Sequence, residues 1–322
     1  MITLKASVRV AVTAIALSLP VSTLAYASDD DAYSVTMQMK ELYRSGKYKE
    51  ALPLAQKALS LREKDPRSSA SDTAMALNDL GTIHYQLGQY AVAEPFYKRS
   101  LELSEQVSGP ENAEIAMMLN NLGDLYRAQK RYVEATAYLK RSIAMTEKMR
   151  GAEDPSIVLA LSNLAAVASM QGKYTQSAPM FERGLAILEK ANGPDDPEAT
   201  VIMNNLADAY IQMRQYSAAE RLLKRSIIVN AKAFGLDHPD IAHAQNNLAA
   251  LYSRQGRNTD AERFYKRSVA TYEKSLGANH PDIVGVLENL ALFYKGQRRF
   301  DEANECLKRA SLVREQVGSK AI

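Results

Sequence analysis

The sequence repeats itself every 42 residues, and this period constrains the fold more than any other feature. A leucine recurs at that spacing without insertion or deletion, at Leu80, Leu122, Leu164, Leu206, Leu248 and Leu290. An asparagine precedes the later leucines, from Asn121 to Asn289, and Asp79 stands before the first. A fixed period of this length is typical of repeat proteins, in which each unit buries its apolar face by stacking on its neighbours.

Each repeat is predicted to hold two helices, because helix starts and helix ends are both marked. A capping side chain precedes a proline at Asp154-Pro155, Asp196-Pro197, His238-Pro239 and His280-Pro281. Proline suits the first helical position, where its missing N–H loses no hydrogen bond, and the preceding side chain can accept from free backbone N–H groups. Glycines are expected to end the preceding helices in the left-handed conformation, at Gly109, Gly151, Gly193, Gly235 and Gly277.

Small and large residues recur within each repeat at helical spacing. The pattern Leu122-Gly123-x-x-Tyr126, followed by Ala135-x-x-x-Leu139, resembles the signature of tetratricopeptide repeats. The resemblance covers about residues 70 to 318. It implies an all-α fold, a right-handed superhelical solenoid of antiparallel helix pairs. The small residues let the two helices of a pair approach, and the large ones fill the gap between them.

The repeat is longer than the usual tetratricopeptide repeat of about 34 residues. The additional residues amount to about one extra turn in each helix. Three phrases are similar to the long, kinesin-light-chain-like subclass, namely His238-Pro239-Asp240, Asn246-Asn247-Leu248-Ala249 and Tyr265-Lys266-Arg267-Ser268. We therefore expect the chain to belong to that subclass.

The repeat pattern divides the chain into three parts. We expect a signal peptide in residues 1–27, a degenerate first repeat with a linker in residues 28–69, and six regular repeats in residues 70–322. The degenerate repeat is inferred from residues 42–51, which resemble the turn between the two helices of a repeat with one residue deleted. Terminal repeats are often atypical because one of their faces has no neighbour.

Residues 1–27 have the features of an export signal. Lys5 and Arg9 precede an apolar run, and Ala25-Tyr26-Ala27 provides a small-x-small cleavage pattern. We expect cleavage near Ala27 and a periplasmic or secreted protein that begins near Ser28. The alternative is an uncleaved anchor, although Pro20 interrupts a run that is already short for a bilayer. No other stretch is expected to span a membrane.

The charge and the cysteine content argue against a nucleic-acid-binding protein and against a disulfide-stabilised protein. Without residues 1–27, basic and acidic residues nearly cancel, so nucleic acid is not an expected partner. The single cysteine, Cys306, cannot form an intramolecular disulfide, and stability must come from helix packing. Because Cys306 lies in a column of large apolar residues, we expect it to be a small buried hydrophobic side chain.

No catalytic, metal or cofactor site is predicted. The histidines are His84, His238, His243 and His280, and no two of them have the i, i+4 spacing of a helical metal site. The sequence also lacks a phosphate-binding glycine loop and a nucleophile elbow. We therefore expect a protein without cofactor or enzyme activity.

A basic column along the predicted second helices has two interpretations. It consists of Lys98-Arg99, Lys140-Arg141, Arg183, Lys224-Arg225, Lys266-Arg267 and Lys308-Arg309. One interpretation is a surface that attracts an anionic partner. The other is a solvated helix face, because Glu94, Glu220 and Glu262 each lie four residues before a lysine of the column. We favour the second.

The resemblance places the exposed side of the first helices on a concave groove, where tetratricopeptide proteins bind partners. The predicted partner-binding residues are Asn78, Tyr85, Asn120, Asp124, Arg127, Asn204, Asp208, Asn246, Arg254 and Lys295. Asparagine both donates and accepts hydrogen bonds, which suits it to hold an extended peptide backbone. The alternative is that the asparagines only bridge neighbouring repeats. The mixed charge of this face differs from the matched basic and amide residues with which some family members clamp a C-terminal carboxylate.

Two functions agree with these features. The first is a scaffold that holds an extended segment of another protein in the groove. The second is a structural subunit of an envelope assembly, such as a polymer-export or secretion machine, which contacts its partners through edges and outer helix faces. An enzyme is the least favoured class, because no catalytic group of residues is recognisable.

Overall fold

The structure, a computed structural model, describes residues 31–107, 109 and 112–319, with the backbone alone for residues 317–319. The predicted signal peptide lies outside the described residues. Within this part of the chain the secondary structure is helical and without strands, which confirms the predicted all-α repeat fold. No described helix has the length and apolar character needed to cross a membrane.

The helices are numbered in chain order. They are α1 (Ala32–Arg44), α2 (Tyr48–Lys64), α3 (Ala70–Gln86), α4 (Tyr90–Val107), α5 (Ala113–Ala128), α6 (Tyr132–Arg150), α7 (Val158–Met170), α8 (Tyr174–Asn192), α9 (Ala199–Gln212), α10 (Tyr216–Phe234), α11 (Pro239–Arg254), α12 (Asn258–Leu276), α13 (Asp282–Gly296) and α14 (Phe300–Ser319). A 3₁₀ turn, Pro155–Ile157, precedes α7. Odd-numbered helices are the first helices of their repeats, and even-numbered helices are the second helices.

The described residues divide into two compact units, residues 31–167 and residues 168–319. In the first unit, consecutive helices from α1 to α6 pack against each other. In the second unit, consecutive helices from α8 to α14 do the same. The first helices α3, α5, α9, α11 and α13 therefore each lie between two second helices, one from their own pair and one from the preceding pair.

The second helices keep one register along the chain. They begin at Tyr48, Tyr90, Tyr132, Tyr174, Tyr216, Asn258 and Phe300, at intervals of 42 residues. The deletion predicted in the degenerate repeat is therefore wrong. Gly46 and Gly88 occupy the same turn position with φ of +71° and +73°. The error arose because Leu42-Tyr43 resembles the pair Leu125-Tyr126 of a later repeat but lies one residue later in the register.

Small residues bring the two helices of each pair together, as predicted. The alanine column is fully buried, at Ala93, Ala135, Ser177, Ala219, Ala261 and Ala303. A large residue such as Leu139 fills the adjoining space and is also fully buried. At Gly123, a Cβ would lie 2.5 Å from Leu139 Cγ. A side chain at that position would require Leu139 to move.

Buried serines add a polar link between the two helices of a pair. Their hydroxyls donate to first-helix carbonyl oxygens, at 2.7 Å from Ser100 to Ala74, 2.7 Å from Ser142 to Ala116 and 2.6 Å from Ser268 to Ala242. A buried hydroxyl needs such a partner to offset its loss of hydration. The same residues that permit close approach therefore also fix the pair by hydrogen bonds.

The predicted caps are present at the starts of the first helices. Each accepts from the backbone N–H two residues later, at 2.9 Å for Asp154, 3.0 Å for Asp196, 3.4 Å for His238 and 3.3 Å for His280. Pro239 occupies the first position of α11, as predicted. The other prolines stand just before their α-helices, since Pro155 opens the 3₁₀ turn and α9 begins at Ala199.

The glycines that end the second helices differ in detail from the prediction. Gly151, Gly193, Gly235 and Gly277 have φ of 87° to 93°, but their ψ is 154° to 168°. This combination is extended backbone of positive φ, which glycine alone adopts readily. The left-handed helical conformation occurs instead in the turns within the pairs. At Gly256, with φ of +74°, the next N–H donates to Tyr252 O at 2.9 Å, as in a Schellman motif.

We expect these two glycine positions to respond differently to the same substitution. Gly235→Asn should lower the free energy of unfolding by about 2 kcal/mol, because a side chain is strained at its φ and ψ. Gly256→Asn should cost less than about 1 kcal/mol, since asparagine tolerates the left-handed helical region. Urea unfolding of both variants measures the difference, and equal losses would contradict the two backbone assignments.

Asp79 replaces the asparagine of the later repeats and lies among α1, α2 and α3. Burial raises the pKa of its carboxyl to about 6, although Lys40 and Arg62 act to lower it. A carboxyl whose pKa is higher in the folded chain than in the unfolded chain favours folding only while it is protonated. Its contribution to stability therefore declines as the pH rises from about 4 through about 6.

The substitution Asp79→Asn should remove this pH dependence. We expect it to raise the free energy of unfolding by about 2 kcal/mol at pH 7.5 and to change it little at pH 4. The matched control is Glu41→Gln, which neutralises an exposed carboxylate on α1. Urea unfolding at both pH values tests the expectation. A gain in the free energy of unfolding at pH 7.5 no larger than that of the control would show that burial of the Asp79 carboxylate does not destabilise the folded chain.

Candidate functional site

The predicted groove asparagines are buried in the packing between first helices. The exposed fractions of Asn78, Asn120, Asn204 and Asn246 are 0%, 6%, 4% and 8%. Three of them accept from an asparagine of the next repeat, at 2.9 Å from Asn121 to Asn78, 3.0 Å from Asn163 to Asn120 and 3.1 Å from Asn289 to Asn246. Their prediction as open peptide-binding residues is therefore wrong. The amide groups of Asn78, Asn120 and Asn246 bridge neighbouring repeats instead.

This asparagine ladder is interrupted at Asn204. Its Oδ1 is buried and has no hydrogen-bond partner among the described residues. Asn247, which by register would donate to it, has its Nδ2 3.4 Å from His243 Nε2 on its own helix. The interruption therefore coincides with a contact of Asn247 to His243, one turn earlier on α11.

In the first unit, three predicted groove residues are bonded to one another. Arg127 Nε donates to Asp124 Oδ1 at 2.7 Å, and both side chains are mostly buried. Burial, followed by the charge of Asp124 and a hydrogen bond with it, raises the pKa of Tyr85. The phenol therefore stays protonated and serves as a donor. Tyr85, Asp124 and Arg127 form a half-buried polar cluster that joins α3 to α5.

In the second unit, the predicted residues Asp208 and Arg254 are linked through Gln212. Gln212 Nε2 donates to Asp208 Oδ1 at 3.4 Å, and Arg254 Nη2 donates to Gln212 Oε1 at 3.3 Å. Burial raises the pKa of Asp208, while Gln212 and Arg254 act to lower it. Asp208 is half-buried, whereas Arg254 and the predicted Lys295 are exposed. Arg254 and Lys295 thus remain accessible to a partner.

The basic column is largely neutralised by the protein itself. Lys98, Lys224 and Lys266 lie 2.7 Å, 2.8 Å and 2.7 Å from the glutamates four residues earlier. Arginines of the column pair with the preceding second helix, at 2.9 Å from Arg99 to Glu63, 2.5 Å from Arg141 to Glu105 and 2.6 Å from Arg225 to Glu189. These pairs agree with a solvated helix face.

A recurring group of side chains was not foreseen from the sequence. In the first unit, Tyr126 donates to Glu94 at 3.0 Å, and Arg131 pairs with the same carboxylate at 3.0 Å. The Arg131 guanidinium lies 4.2 Å from the centroid of the Tyr126 ring. We call this arrangement a Tyr–Glu–Arg set. Because Glu94 belongs to the preceding repeat, the set ties one repeat to the next.

Two further Tyr–Glu–Arg sets lie in the second unit. They are Tyr252 with Glu220 and Arg257, and Tyr294 with Glu262 and Arg299. The hydrogen bond from Arg299, with those from Lys266 and Tyr294, lowers the pKa of Glu262 to about 2 despite partial burial. A sequence signal existed, since glutamate and arginine occur together at these positions or are both absent. Recognising it required comparing columns 37 residues apart.

Solved structures share this fold at low sequence identity. BtubC (BKLC) from P. vanneervenii is 22% identical, with a TM-score of 0.58 over 72% of this chain and 92% of its own. Nearly identical TPR-like repeats of the kinesin light chain type from Podosopora anserina are 24% identical, with a TM-score of 0.53 over 64% and 98% of the two chains. The Rap conjugation gene regulator of the plasmid pLS20, solved with the Phr* peptide, is 17% identical, with a TM-score of 0.65 over 89% and 74%.

The family follows from the sequence itself. No curated protein gives a significant match to the chain. The family model of the tetratricopeptide repeat, however, matches residues 31–106, 72–148, 156–232, 228–274 and 240–316. These segments cover most of the chain and coincide with the stacked helix pairs. The chain therefore belongs to the tetratricopeptide repeat family.

Proposed function

We propose that the chain is a non-enzymatic scaffold for protein–protein interaction, which binds an extended segment of a partner along its first helices. Its family supports this proposal, because tetratricopeptide repeats are typically interaction scaffolds. The Rap regulator with a similar fold was solved in complex with a peptide.

We also propose membership of the long, kinesin-light-chain-like subclass, which the 42-residue spacing of the second helices supports.

Two open cations on successive first helices carry the proposal. Arg254 on α11 and Lys295 on α13 are exposed, and neither forms an ion pair among the residues that the structure describes. Arg254 is already positioned by its hydrogen bond to Gln212. Exposed cations that form no ion pair within the protein favour a partner that supplies a negative charge. The bound segment is therefore inferred to carry acidic residues.

Charge reversal of these two residues should release the partner. We expect the double variant Arg254→Glu/Lys295→Glu to lose at least nine-tenths of the captured partner in a pull-down from envelope extract. The matched control is Arg267→Glu/Lys308→Glu, which reverses the same charge at exposed positions on second helices. The control should retain the partner. Loss in the control alone would favour the envelope-subunit alternative and reject the groove.

We also propose that the chain is exported and that residues 1–27 are removed. Lys5, Arg9, the apolar run after them and Ala25-Tyr26-Ala27 support this proposal. Expression of the full chain in a bacterial host should yield an envelope protein whose N-terminal residue is Ser28. Intact-mass measurement and N-terminal sequencing of the purified protein provide the test. A full-length chain that remains in the cytoplasm would reject export.

A further inference from the structure

One Tyr–Glu–Arg set in the second unit is incomplete. Tyr210 stands in the tyrosine column, and its hydroxyl donates to Glu182 Oε1 at 2.7 Å. The positions that hold the glutamate and the arginine of a complete set are occupied by Ala178 and Gln215. The ring and a carboxylate are therefore retained, whereas the guanidinium that would cover the ring is missing.

A cleft of about 450 Å³ lies beside Tyr210, between α8 and α10. Tyr210 and Leu206 of α9 line it, together with Leu185 of α8 and Leu222 of α10. In the three complete sets an arginine lies on the tyrosine ring. Leu222 stands where two of these sets have an aromatic ring packed on the tyrosine, at centroid distances of 5.4 Å for Tyr138 on Tyr126 and 5.5 Å for Phe264 on Tyr252, whereas the third has Cys306.

The acid that holds the arginine in a complete set is also absent here. Arg131 and Arg257 each pair with an acid three residues later, at 2.9 Å to Glu134 and 2.8 Å to Asp260. The residue at the corresponding position of the cleft is Ala218. The arginine, its acid and the aromatic ring are therefore all absent at the repeat where the cleft lies.

Charge in the cleft is reversed relative to the other repeats. Glu182 occupies the column that holds lysine elsewhere, at Lys98, Lys140, Lys224, Lys266 and Lys308. Burial, followed by the hydrogen bond to Glu182, raises the pKa of Tyr210 to about 12, so its hydroxyl remains a donor to that carboxylate. This end of the cleft thus offers a carboxylate and an aromatic ring without a cation between them.

The remaining charges set limits on what enters. Arg225 and Glu189 both line the cleft and are bonded to each other at 2.6 Å. Arg221 lines the cleft from α10, is exposed, and forms no ion pair among the described residues. A ligand with a cation alone would face repulsion from Arg221, whereas a carboxylate next to the cation would pair with it.

We propose that the cleft between α8 and α10 binds an arginine side chain of a partner protein, with an acidic residue next to the arginine. The arginine completes the set by lying over the Tyr210 ring and pairing with Glu182. Its neighbouring carboxylate pairs with Arg221, and an adjoining apolar side chain contacts Leu206 and Leu222. Arginine is favoured over lysine because its planar guanidinium stacks on a ring while donating to a carboxylate.

The proposal is tested with a short neutral peptide and the full chain. The probe is acetyl-Leu-Arg-Glu-Leu-amide, and its control has citrulline, which has a similar shape without the charge, in place of arginine. We expect the arginine peptide to shift the backbone NMR signals of residues 182–189, 206–210 and 218–225. The citrulline peptide should bind at least tenfold more weakly, because it cannot form the ion pair with Glu182.

Variants of the cleft separate its occupation from general charge effects. Gln215→Arg restores the arginine of a complete set from within the chain, so it should block the cleft and weaken peptide binding at least tenfold. Glu182→Gln should weaken binding to a similar degree. Ser217→Arg adds the same charge at an exposed residue outside the cleft and should leave binding unchanged. The folded state of each variant is checked by its NMR spectrum.

Three results would overturn the proposal. The first is the absence of shifts in the cleft at millimolar peptide. The second is equal binding of the arginine and citrulline peptides, which would indicate apolar contact alone. The third is full binding by Gln215→Arg. The peptide should also bind unchanged to Arg254→Glu/Lys295→Glu, so failure of the first-helix proposal and failure of the cleft proposal are distinguishable.

Discussion

The close approach of two helices within a repeat is the interaction on which the other contacts depend. Because alanine, serine and glycine stand at the contact, a large residue such as Leu139 enters the gap, and Ser142 reaches the Ala116 carbonyl oxygen. A bulkier column would separate the helices and leave that carbonyl and hydroxyl unpaired. The next repeat then packs against the ridge that this pair presents. The geometry of stacking between repeats therefore depends on the packing within each repeat.

Periodicity allowed the helices, their caps and the buried columns to be predicted, because these depend on spacing and local chemistry. The role of polar side chains depends on which partner lies across the interface, and the sequence alone does not state this. Asn120 could have faced a peptide or Asn163, and only the position of the next repeat decides between them. The register of the first pair was mispredicted for a related reason, since Leu42 and Tyr43 fit the signature locally while Tyr48 and Gly46 hold the global register.

Positions that keep one residue type along the repeats and positions where the residue type changes have different roles. The regular serines are engaged within their own repeat, and the regular asparagines and ion pairs mostly with neighbouring repeats, so few of their polar groups remain for a partner. Accessible chemistry occurs where a column changes residue type, as at Arg254 and Lys295 on the first helices and at Glu182 and Leu222 between second helices. Both proposed binding regions arise from such changes. A repeat scaffold of this type acquires specificity through departures from its own consensus.

The incomplete set at Tyr210 also affects how cooperatively the second unit unfolds. In a stack where each repeat contacts its neighbours, stability is a sum of repeat terms and interface terms. Between α12 and α14 the ion pairs from Arg299 to Glu262 and from Arg309 to Glu273 couple adjacent repeats, whereas between α8 and α10 the pair from Arg225 to Glu189 acts without a Tyr–Glu–Arg set. The Tyr210–Glu182 hydrogen bond and the Arg225–Glu189 pair remain to couple these two repeats. An occupant of the cleft that contacts both α8 and α10 would add to the interface term between the two repeats, so binding there would raise the stability of the stack.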